Sequence, residues 1–347
     1  MVTQSIKFYE LSHPEKRLFY LQKYYPGTSM WNVPQSVLFK ERINVATLKK
    51  AAGLFIRNNQ NMRIRFVETD AGPRQFIAPF EQADADIPVV EFGGPDAVEK
   101  MHEWADAESR RPFADFPACA MYRLYIIDLG DSRGGFYLNG HHMVVDGYSL
   151  AFATDKICEY YRRLSAGETS IEENFKLYFD YLGEESAYLA SKEFEADRDF
   201  WFARYATDIE NLELRPASAA DDFRIDRAYC RAPEGLSARI YDYCEKNRIS
   251  VYRLFMCTLY AYLFRLTMKE DIVIQAAHHG RPDDFLKTTG MFVSTVPVRL
   301  NFAADSSFRQ LYEKFSPEFK QMLSRHRFPV DLLGSELRRL GRDPGGL

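Results

Sequence analysis

The stretch Leu138-Asn139-Gly140-His141-His142-Met143-Val144-Val145-Asp146-Gly147-Tyr148-Ser149 joins a predicted strand to a predicted helix in this 347-residue chain. The residues before it have the composition of a strand, and the apolar spacing from Tyr148 to Leu164 predicts a helix after it. The two histidines and the aspartate therefore lie at a strand-to-helix turn. Loops that rigid elements hold in place often carry catalytic groups, and a neutral imidazole is the commonest general base.

The residues alone allow two interpretations of this turn. Adjacent residues of a strand point to opposite faces, so His141 and His142 are not expected to bind one metal ion together. In the functional interpretation, one imidazole faces a cleft and acts as a base. In the structural interpretation, both imidazoles are buried with satisfied hydrogen bonds beside an Asp-Gly turn. The other histidines near turns, His278-His279 and His326, are expected to pack or to cap.

Helices and strands alternate along the rest of the chain, which predicts an α/β or α+β fold. A helix begins at Ser12, because Ser12 and Glu15 form a capping-box pattern and Pro14 suits a first turn. Further helices are predicted at 45–58, 96–108, 148–164, 185–205, 236–247, 250–267, 307–324 and 330–340. Strands are predicted at 33–39, 63–67, 74–78, 120–128, 135–141, 222–231, 271–277 and 294–300.

The length of the chain suggests two domains or two lobes of one domain. The segment Ser165-Ala166-Gly167-Glu168 ends a long predicted helix and is the candidate boundary. The expected division is an N-terminal lobe at 1–167, which contains the two adjacent histidines of the turn, and a C-terminal lobe at 168–347.

Composition and motifs exclude several classes of function. The 45 Lys and Arg residues against 49 Asp and Glu residues give a net charge of −4, so no basic field recruits nucleic acid or an anionic membrane. Five widely spaced cysteines without a Cys-x-x-Cys pair fit a reducing cytoplasm better than a disulfide scaffold or a zinc site. The longest apolar stretch, 254–264, is too short to span a bilayer. Phosphate-binding loops, dinucleotide fingerprints and zinc-protease motifs are absent from the sequence.

The pattern His141-His142-x-x-x-Asp146-Gly147 resembles the active-site motif of the condensation domains of nonribosomal peptide synthetases. Other segments resemble the remaining motifs of that family in the same order, and together they cover essentially the whole chain. They are Leu11-Ser12 with Arg17-Leu18-Phe19, Asn59 to Phe66, Arg111-Pro112-Phe113, Tyr178-x-Asp180-Tyr181 with Asp197-x-x-Phe200-Trp201, Gly290 to Arg299, and Arg325 to Pro329.

The resemblance implies a fold of two chloramphenicol-acetyltransferase-like lobes in a V-shaped pseudo-dimer. Family domains usually extend further at the C-terminal end, so the C-terminal lobe is expected to be truncated, which leaves open whether this chain is active alone. Met1 stands just before the first motif, as in starter condensation domains, which acylate the first amino acid of a peptide.

The resemblance also implies a reaction and a set of site residues. The amine of an aminoacyl thioester would attack an acyl or peptidyl thioester, with His142 as base or amine positioner. Both substrates would be carried on phosphopantetheine arms, so the partners are carrier proteins and adjacent synthetase domains, and neither a metal nor a bound cofactor is expected. Asp146 is expected to pair with Arg63, Gly147 to leave room for the amine, and His141 to pack. Further tunnel or motif residues are Ser149, Ser294, Thr295 and Arg281.

Two other functions remain open at this point. One is a stand-alone acyltransferase of the same fold that uses coenzyme A or carrier thioesters. The other is a non-catalytic module that docks carrier proteins.

Overall fold

The computed structural model of the protein describes residues 6–81, 86–113, 116–117, 119–209, 212, 214 and 229–342. Their contacts divide the chain into two compact units. The first unit comprises residues 1–190 and 281–293, and the second comprises residues 191–280 and 294–347. Both units combine helices with antiparallel strand pairs, which confirms the predicted α/β (α+β) class.

The first unit contains a four-stranded sheet of order β1-β6-β5-β4, in which only the β4–β5 pair is parallel, and a separate hairpin of β2 and β3. Its strands are β1 (Asn32–Leu38), β2 (Ile64–Thr69), β3 (Gly72–Ile77), β4 (Val89–Glu91), β5 (Tyr122–Gly130) and β6 (Arg133–His141). Its helices are α1 (His13–Tyr24), α2 (Val45–Asn58), α3 (Ala97–Ser109), α4 (Gly147–Ser165) and α5 (Tyr178–Leu189).

Helix α2 shows how local sequence and burial agree in this unit. The Asn44 side chain caps the helix by accepting the Thr47 N–H at 2.9 Å. The apolar side chains at Leu48, Phe55 and Ile56 are fully buried in the core. Burying such a side chain contributes about 1.5–3 kcal/mol. This core packs under the strand and helix that carry the His-His turn.

The second unit is built around the antiparallel pair β7 (Asp271–His278) and β8 (Ser294–Asn301). Its helices are α6 (Lys192–Arg204), α7 (Leu236–Asn247), α8 (Val251–Thr267), α9 (Phe308–Leu323) and α10 (Val330–Arg339). Two buried tyrosines fasten helices to the sheet: the Tyr205 hydroxyl donates to the carbonyl of Pro297 at 2.8 Å, and the Tyr260 hydroxyl donates to the carbonyl of Val298 at 2.5 Å. Buried hydroxyl groups need such partners, because an unpaired one is costly.

The single helix predicted at 185–205 is wrong, since the structure has two helices there. Helix α5 ends at Leu189, and Ser191 caps α6 by accepting the Phe194 N–H at 3.2 Å. A serine that bonds to the backbone favours a new helix start over a continuous helix. The short strand β4 was not predicted, and most of the predicted strand at 222–231 lies outside the described residues.

The boundary between units also differs from the expected one. Helix α5 lies after the predicted boundary at 167/168, yet its contacts place it in the first unit. Residues 281–293, which link β7 to β8, belong to the first unit as well. The difference arises because Tyr178 is buried among side chains of the first unit. In the described part of the chain, no helix is both long and apolar enough to cross a membrane.

Candidate active site

The His-His turn connects the end of β6 to the start of α4 within five residues. Strand β6 ends at His141, and Asp146 caps α4, its Oδ1 accepting the Ser149 N–H at 2.8 Å. The turn is tight against the strand, since a Cβ added to Gly140 would lie 2.3 Å from Cγ2 of Val145. Glycine at this position therefore allows the turn to fold back over the strand end.

His141 is buried and fully engaged. Its Nδ1 accepts the N–H of Met143 at 3.2 Å, so Nε2 carries the proton and donates to Oε1 of Gln22 at 3.2 Å. The ring stacks on Phe116 with 5.7 Å between centroids. Burial, and to a lesser degree the neighbouring His142, lowers the pKa of His141 to about 3. Both ring nitrogens of His141 are thus engaged in hydrogen bonds within the protein.

His142 differs from its neighbour because its imidazole is not engaged in this way. The backbone N–H of His142 donates to the carbonyl of Trp31 at 2.8 Å. This bond connects the turn to the start of β1, because Trp31 immediately precedes that strand. The side chain is partly exposed, and its buried Nδ1 has no hydrogen-bond partner among the described residues. Burial lowers the pKa of His142, whereas nearby backbone groups and the Asp146 carboxylate act in the opposite direction. Burial therefore favours the neutral form of this imidazole.

The carboxylate of Asp146 is the centre of a buried polar network. Its Oδ1 accepts the Ser149 N–H and hydroxyl, each at 2.8 Å, and its Oδ2 accepts the Phe292 N–H at 3.2 Å. Nη2 of Arg281 lies 2.9 Å from Oδ1 and 3.0 Å from Oδ2. This set of charged and neutral donors fixes the N-terminus of α4 to the 281–293 segment.

Arg281 is enclosed on all sides, with none of its side chain exposed. Its Nη1 donates to the carbonyls of Phe285 and Thr288, and its Nη2 also reaches the Ser149 hydroxyl at 3.1 Å. The guanidinium lies over the ring of Phe292 at 4.0 Å and that of Tyr148 at 4.7 Å. Burial lowers the pKa of Arg281, and the Asp146 carboxylate counters this shift. An arginine retains its charge even so.

The expected pairing of Asp146 with Arg63 is wrong, because Arg281 occupies the position beside the carboxylate. Arg63 donates instead to the backbone carbonyls of the α2 end, at Ile56 (2.8 Å) and Arg57 (2.9 Å), and to that of Ala78 at 3.2 Å. Arg63 thus binds carbonyl groups at the C-terminal end of α2, and such groups attract cations. Its bond to Ala78 connects the same end of the helix to the β2–β3 hairpin. The sequence analysis gave Arg281 only as a tunnel or motif residue, because spacing along the chain does not show which arginine reaches Asp146.

The remaining predicted site residues fall in two places. Gly147 is exposed, and a Cβ there would meet no atom within 4 Å, so the space beside it is open. Ser149 belongs to the Asp146 network. Ser294 and Thr295 begin β8 in the second unit, opposite His278 and Ala277 respectively.

Sequence reasoning missed the contacts between distant motif residues that hold this site together. Gly290 packs so closely that an added Cβ would lie 2.2 Å from Cδ2 of Tyr178. Its N–H donates to the Ser149 hydroxyl oxygen at 3.1 Å, and its carbonyl oxygen lies 3.0 Å from that oxygen. The Tyr178 hydroxyl donates to the carbonyl of Met291 at 2.6 Å. Gly290 and Tyr178 were visible as motif residues, but their mutual contact is a long-range relationship without a local pattern.

Comparisons with known proteins identify the family of this chain. The sequence model of the Condensation domain family matches residues 5–343. Surfactin synthase subunit 1 of Bacillus subtilis (strain 168) is 30% identical over 338 residues, which cover 96% of this chain and 9% of that protein. The dimodular nonribosomal peptide synthase of the same organism is 23% identical over 339 residues, which cover 96% of this chain and 14% of that protein. The chain therefore spans a small part of the length of these relatives.

Solved structures share the fold. A mutant of the starter condensation domain of rhizomide synthetase, in complex with C8-CoA, has a TM-score of 0.85 at 22% identity, covering 98% of this chain and 76% of that chain. The first condensation domain of the calcium-dependent antibiotic synthetase, in complex with a substrate analogue, has a TM-score of 0.81 at 21% identity, covering 95% of this chain and 78% of that chain. The match of the family to nearly every residue shows that this chain belongs to the condensation domain family of nonribosomal peptide synthetases.

Proposed function

We propose that this chain catalyses amide-bond formation between two carrier-bound thioesters. The amine nitrogen of an aminoacyl thioester attacks the carbonyl carbon of an acyl or peptidyl thioester. The new C–N bond forms as the C–S bond breaks, and the amine proton passes to the departing thiolate. The substrates arrive on phosphopantetheine arms of carrier proteins, and the thioester is already activated.

The observation that carries this proposal is the state of His142. It is partly exposed and neutral, whereas the adjacent His141 is buried with both nitrogens engaged. An α-amine with a pKa near 7.7–8.0 is largely protonated at neutral pH, so an acceptor must hold or deprotonate it for attack. Because Nδ1 of His142 is buried, Nε2 is the nitrogen we assign to the amine.

Positioning supplies the larger part of the rate enhancement in this proposal. Holding two reactants in line contributes up to about 7–11 kcal/mol, and general-base help adds about 10²–10⁴-fold. His142, acting as a general base, provides the smaller contribution to the rate enhancement. Its backbone bond to Trp31 and the Asp146 cap hold the two ends of the turn.

The test is acyl transfer between two loaded carrier proteins, followed by intact-protein mass spectrometry. We expect His142→Ala to reduce transfer by about 10²-fold or more, in line with the loss of a general base. The control is His102→Ala on the exposed face of α3. Transfer at the wild-type rate in the His142 variant would remove this residue from the mechanism.

A second candidate function is acyl transfer from coenzyme A. A starter condensation domain of similar fold was solved with C8-CoA, so the donor arm of the assay uses both octanoyl-coenzyme A and an octanoyl carrier protein. Transfer from coenzyme A alone favours the stand-alone acyltransferase. Carrier binding without transfer from either donor favours a docking module.

A further inference from the structure

We propose that Gln22 is a positioning residue that joins two anchors of the His-His turn and so holds His142 in place for the reaction. This inference rests on the proposed role of His142. Gln22 lies on α1 and is buried, with 6% of its surface exposed. It acts through His141, which is 119 positions away in the chain, and through the loop that connects α1 to β1.

The first anchor is the side chain of His141, the residue next to His142. Its Nδ1 accepts the Met143 N–H at 3.2 Å, so the proton of the neutral ring lies on Nε2. The Nε2–H group donates to Oε1 of Gln22 at 3.2 Å. Since His141 is 1% exposed, this N–H would otherwise be buried without an acceptor, which is costly. Gln22 therefore stabilises the tautomer that binds the turn.

The second anchor is the backbone of His142 itself. Its N–H donates to the carbonyl of Trp31 at 2.8 Å. Trp31 is the last residue of the loop at 25–31, which leads from the end of α1 to the start of β1. The position of this carbonyl, and with it the position of the His142 backbone, depends on the path of that loop.

Gln22 connects the two anchors because a carboxamide has both a donor and an acceptor end. While Oε1 accepts from His141, Nε2 donates to the carbonyls of Tyr25 at 3.3 Å and Thr28 at 3.5 Å, both in the loop at 25–31. One side chain thus holds the ring beside His142 and the loop that carries its backbone acceptor. Losing these bonds should displace His142, and a misplacement of about 1 Å can lower a rate by about 10²-fold.

The first measurement is ¹⁵N NMR of the full chain, which distinguishes a protonated ring nitrogen from an unprotonated one. The His141 signals are assigned by comparison with a His141→Phe spectrum. Wild-type His141 should carry its proton on Nε2. Gln22→Glu places a carboxylate beside that nitrogen and should raise the pKa of His141, because a neighbouring negative charge favours the imidazolium. A proton on Nδ1 in the wild type, or an unchanged titration of His141 in Gln22→Glu, would overturn the inference.

The second measurement is amide hydrogen exchange in Gln22→Met, which removes both ends of the amide and keeps the length of the side chain. The His142 amide should exchange about 10-fold faster or more, because local opening becomes easier when the loop at 25–31 loses its anchor. Amides of α8, in the second unit, should exchange as in the wild type. An unchanged rate at His142 would contradict the connection between Gln22 and the backbone of the turn.

The third measurement is steady-state acyl transfer between loaded carrier proteins. Gln22→Met should lower kcat by about 10- to 100-fold. The KM for both carriers should stay unchanged, because Gln22 is buried and bonds within the protein. Gln60→Met, at an exposed position after α2, is the control and should change neither constant. In a His141→Phe background, the loss caused by Gln22→Met should be smaller, because no ring N–H is left to bind.

A wild-type kcat in Gln22→Met, or an equal loss in both backgrounds, would show that Gln22 does not act through His141. If Gln22→Met does not fold, the spectra of the wild type and of Gln22→Glu decide the question. A wild-type chain that gives the expected spectra and exchange rates but no acyl transfer would contradict the proposed function and leave the anchoring of the turn by Gln22 intact.

Discussion

The Asp146 carboxylate and the Arg281 guanidinium form a buried ion pair, 2.9 Å apart, although 135 positions separate them in the chain. The pair joins the helix that follows the His-His turn to the segment between β7 and β8. A buried charge that loses its partner is strongly destabilising, so removing either member of this pair should lower the stability of the first unit.

The variant Asp146→Asn should therefore lose stability. Asparagine keeps the helix cap, so the loss reports the missing charge beside Arg281. We expect the free energy of unfolding to fall by about 3–5 kcal/mol, as when one partner of a buried ion pair is removed. Chemical denaturation measures this free energy of unfolding. Asp155→Asn, on an exposed position of the same helix, should change it by less than about 0.5 kcal/mol, and equal effects of the two variants would contradict the prediction.

Gly290→Ala should destabilise the first unit by steric conflict. The added methyl group would lie 2.2 Å from Cδ2 and 2.7 Å from Cε2 of Tyr178, which is itself fully buried. Overpacking of this kind typically costs about 1–3 kcal/mol. The matched control is Gly183→Ala, on an exposed position of α5, where no atom lies within 4 Å. At that position, the higher helix propensity of alanine should stabilise the chain by about 0.5–1 kcal/mol. The thermal unfolding midpoint should therefore fall in the Gly290 variant and rise in the Gly183 variant.

Glu15→Gln should remove a loss of stability at alkaline pH. Burial raises the pKa of Glu15 from 4.5 to about 8, so the folded protein binds a proton that the unfolded chain releases. The stabilising effect of this proton is present below pH 4.5 and is lost as the pH rises to about 8, with a slope of at most about 1.4 kcal/mol per pH unit.

Denaturation curves between pH 5 and 9 measure this dependence. Glutamine is neutral throughout and should flatten the curve, whereas Glu10→Gln, at a side chain that is 69% exposed, should not. A wild-type pH dependence retained in the Glu15 variant would show that another group is responsible.

His278→Asn should reduce the acid sensitivity of the second unit. The ring of His278 stacks on that of His279, with 4.7 Å between centroids, and lies tilted against that of His326, with 4.1 Å between centroids. Its Nδ1 accepts the Gly280 N–H at 2.8 Å. Burial, followed by the neighbouring imidazoles, lowers the pKa of His278 from 6.5 to about 4. The unfolded chain therefore binds the proton first, and stability falls as the pH drops from 6.5 towards 4.

Unfolding midpoints between pH 7.5 and 4.5 provide the measurement for His278. Asparagine can accept the same N–H without taking up a proton, so its midpoint should change less with pH than that of the wild type. His102→Asn, on an exposed position of α3, is the control and should keep the wild-type dependence. An identical acid dependence in both variants would rule out His278 as the responsible group.

Features that depend on neighbours along the chain could be predicted from the order of the residues alone. The helix at 45–58 follows from its apolar spacing, and it is found at Val45–Asn58. The position of the His-His turn between strand and helix, and the family through its ordered motifs, were also readable, because these signals span a few residues each. Local patterns failed at Ser191, where a cap divides one apolar run into two helices.

The arginine that pairs with Asp146, and the histidine that remains available, could be identified only from the three-dimensional arrangement of the chain. Arg63 and Arg281 are both arginines near motifs, and their choice of partner depends on how segments distant in the chain come together. His141 and His142 are identical side chains, distinguished by Gln22, Met143 and Phe116 around one of them. Ion pairing and burial are set by distances in space, which residue spacing along a chain does not encode.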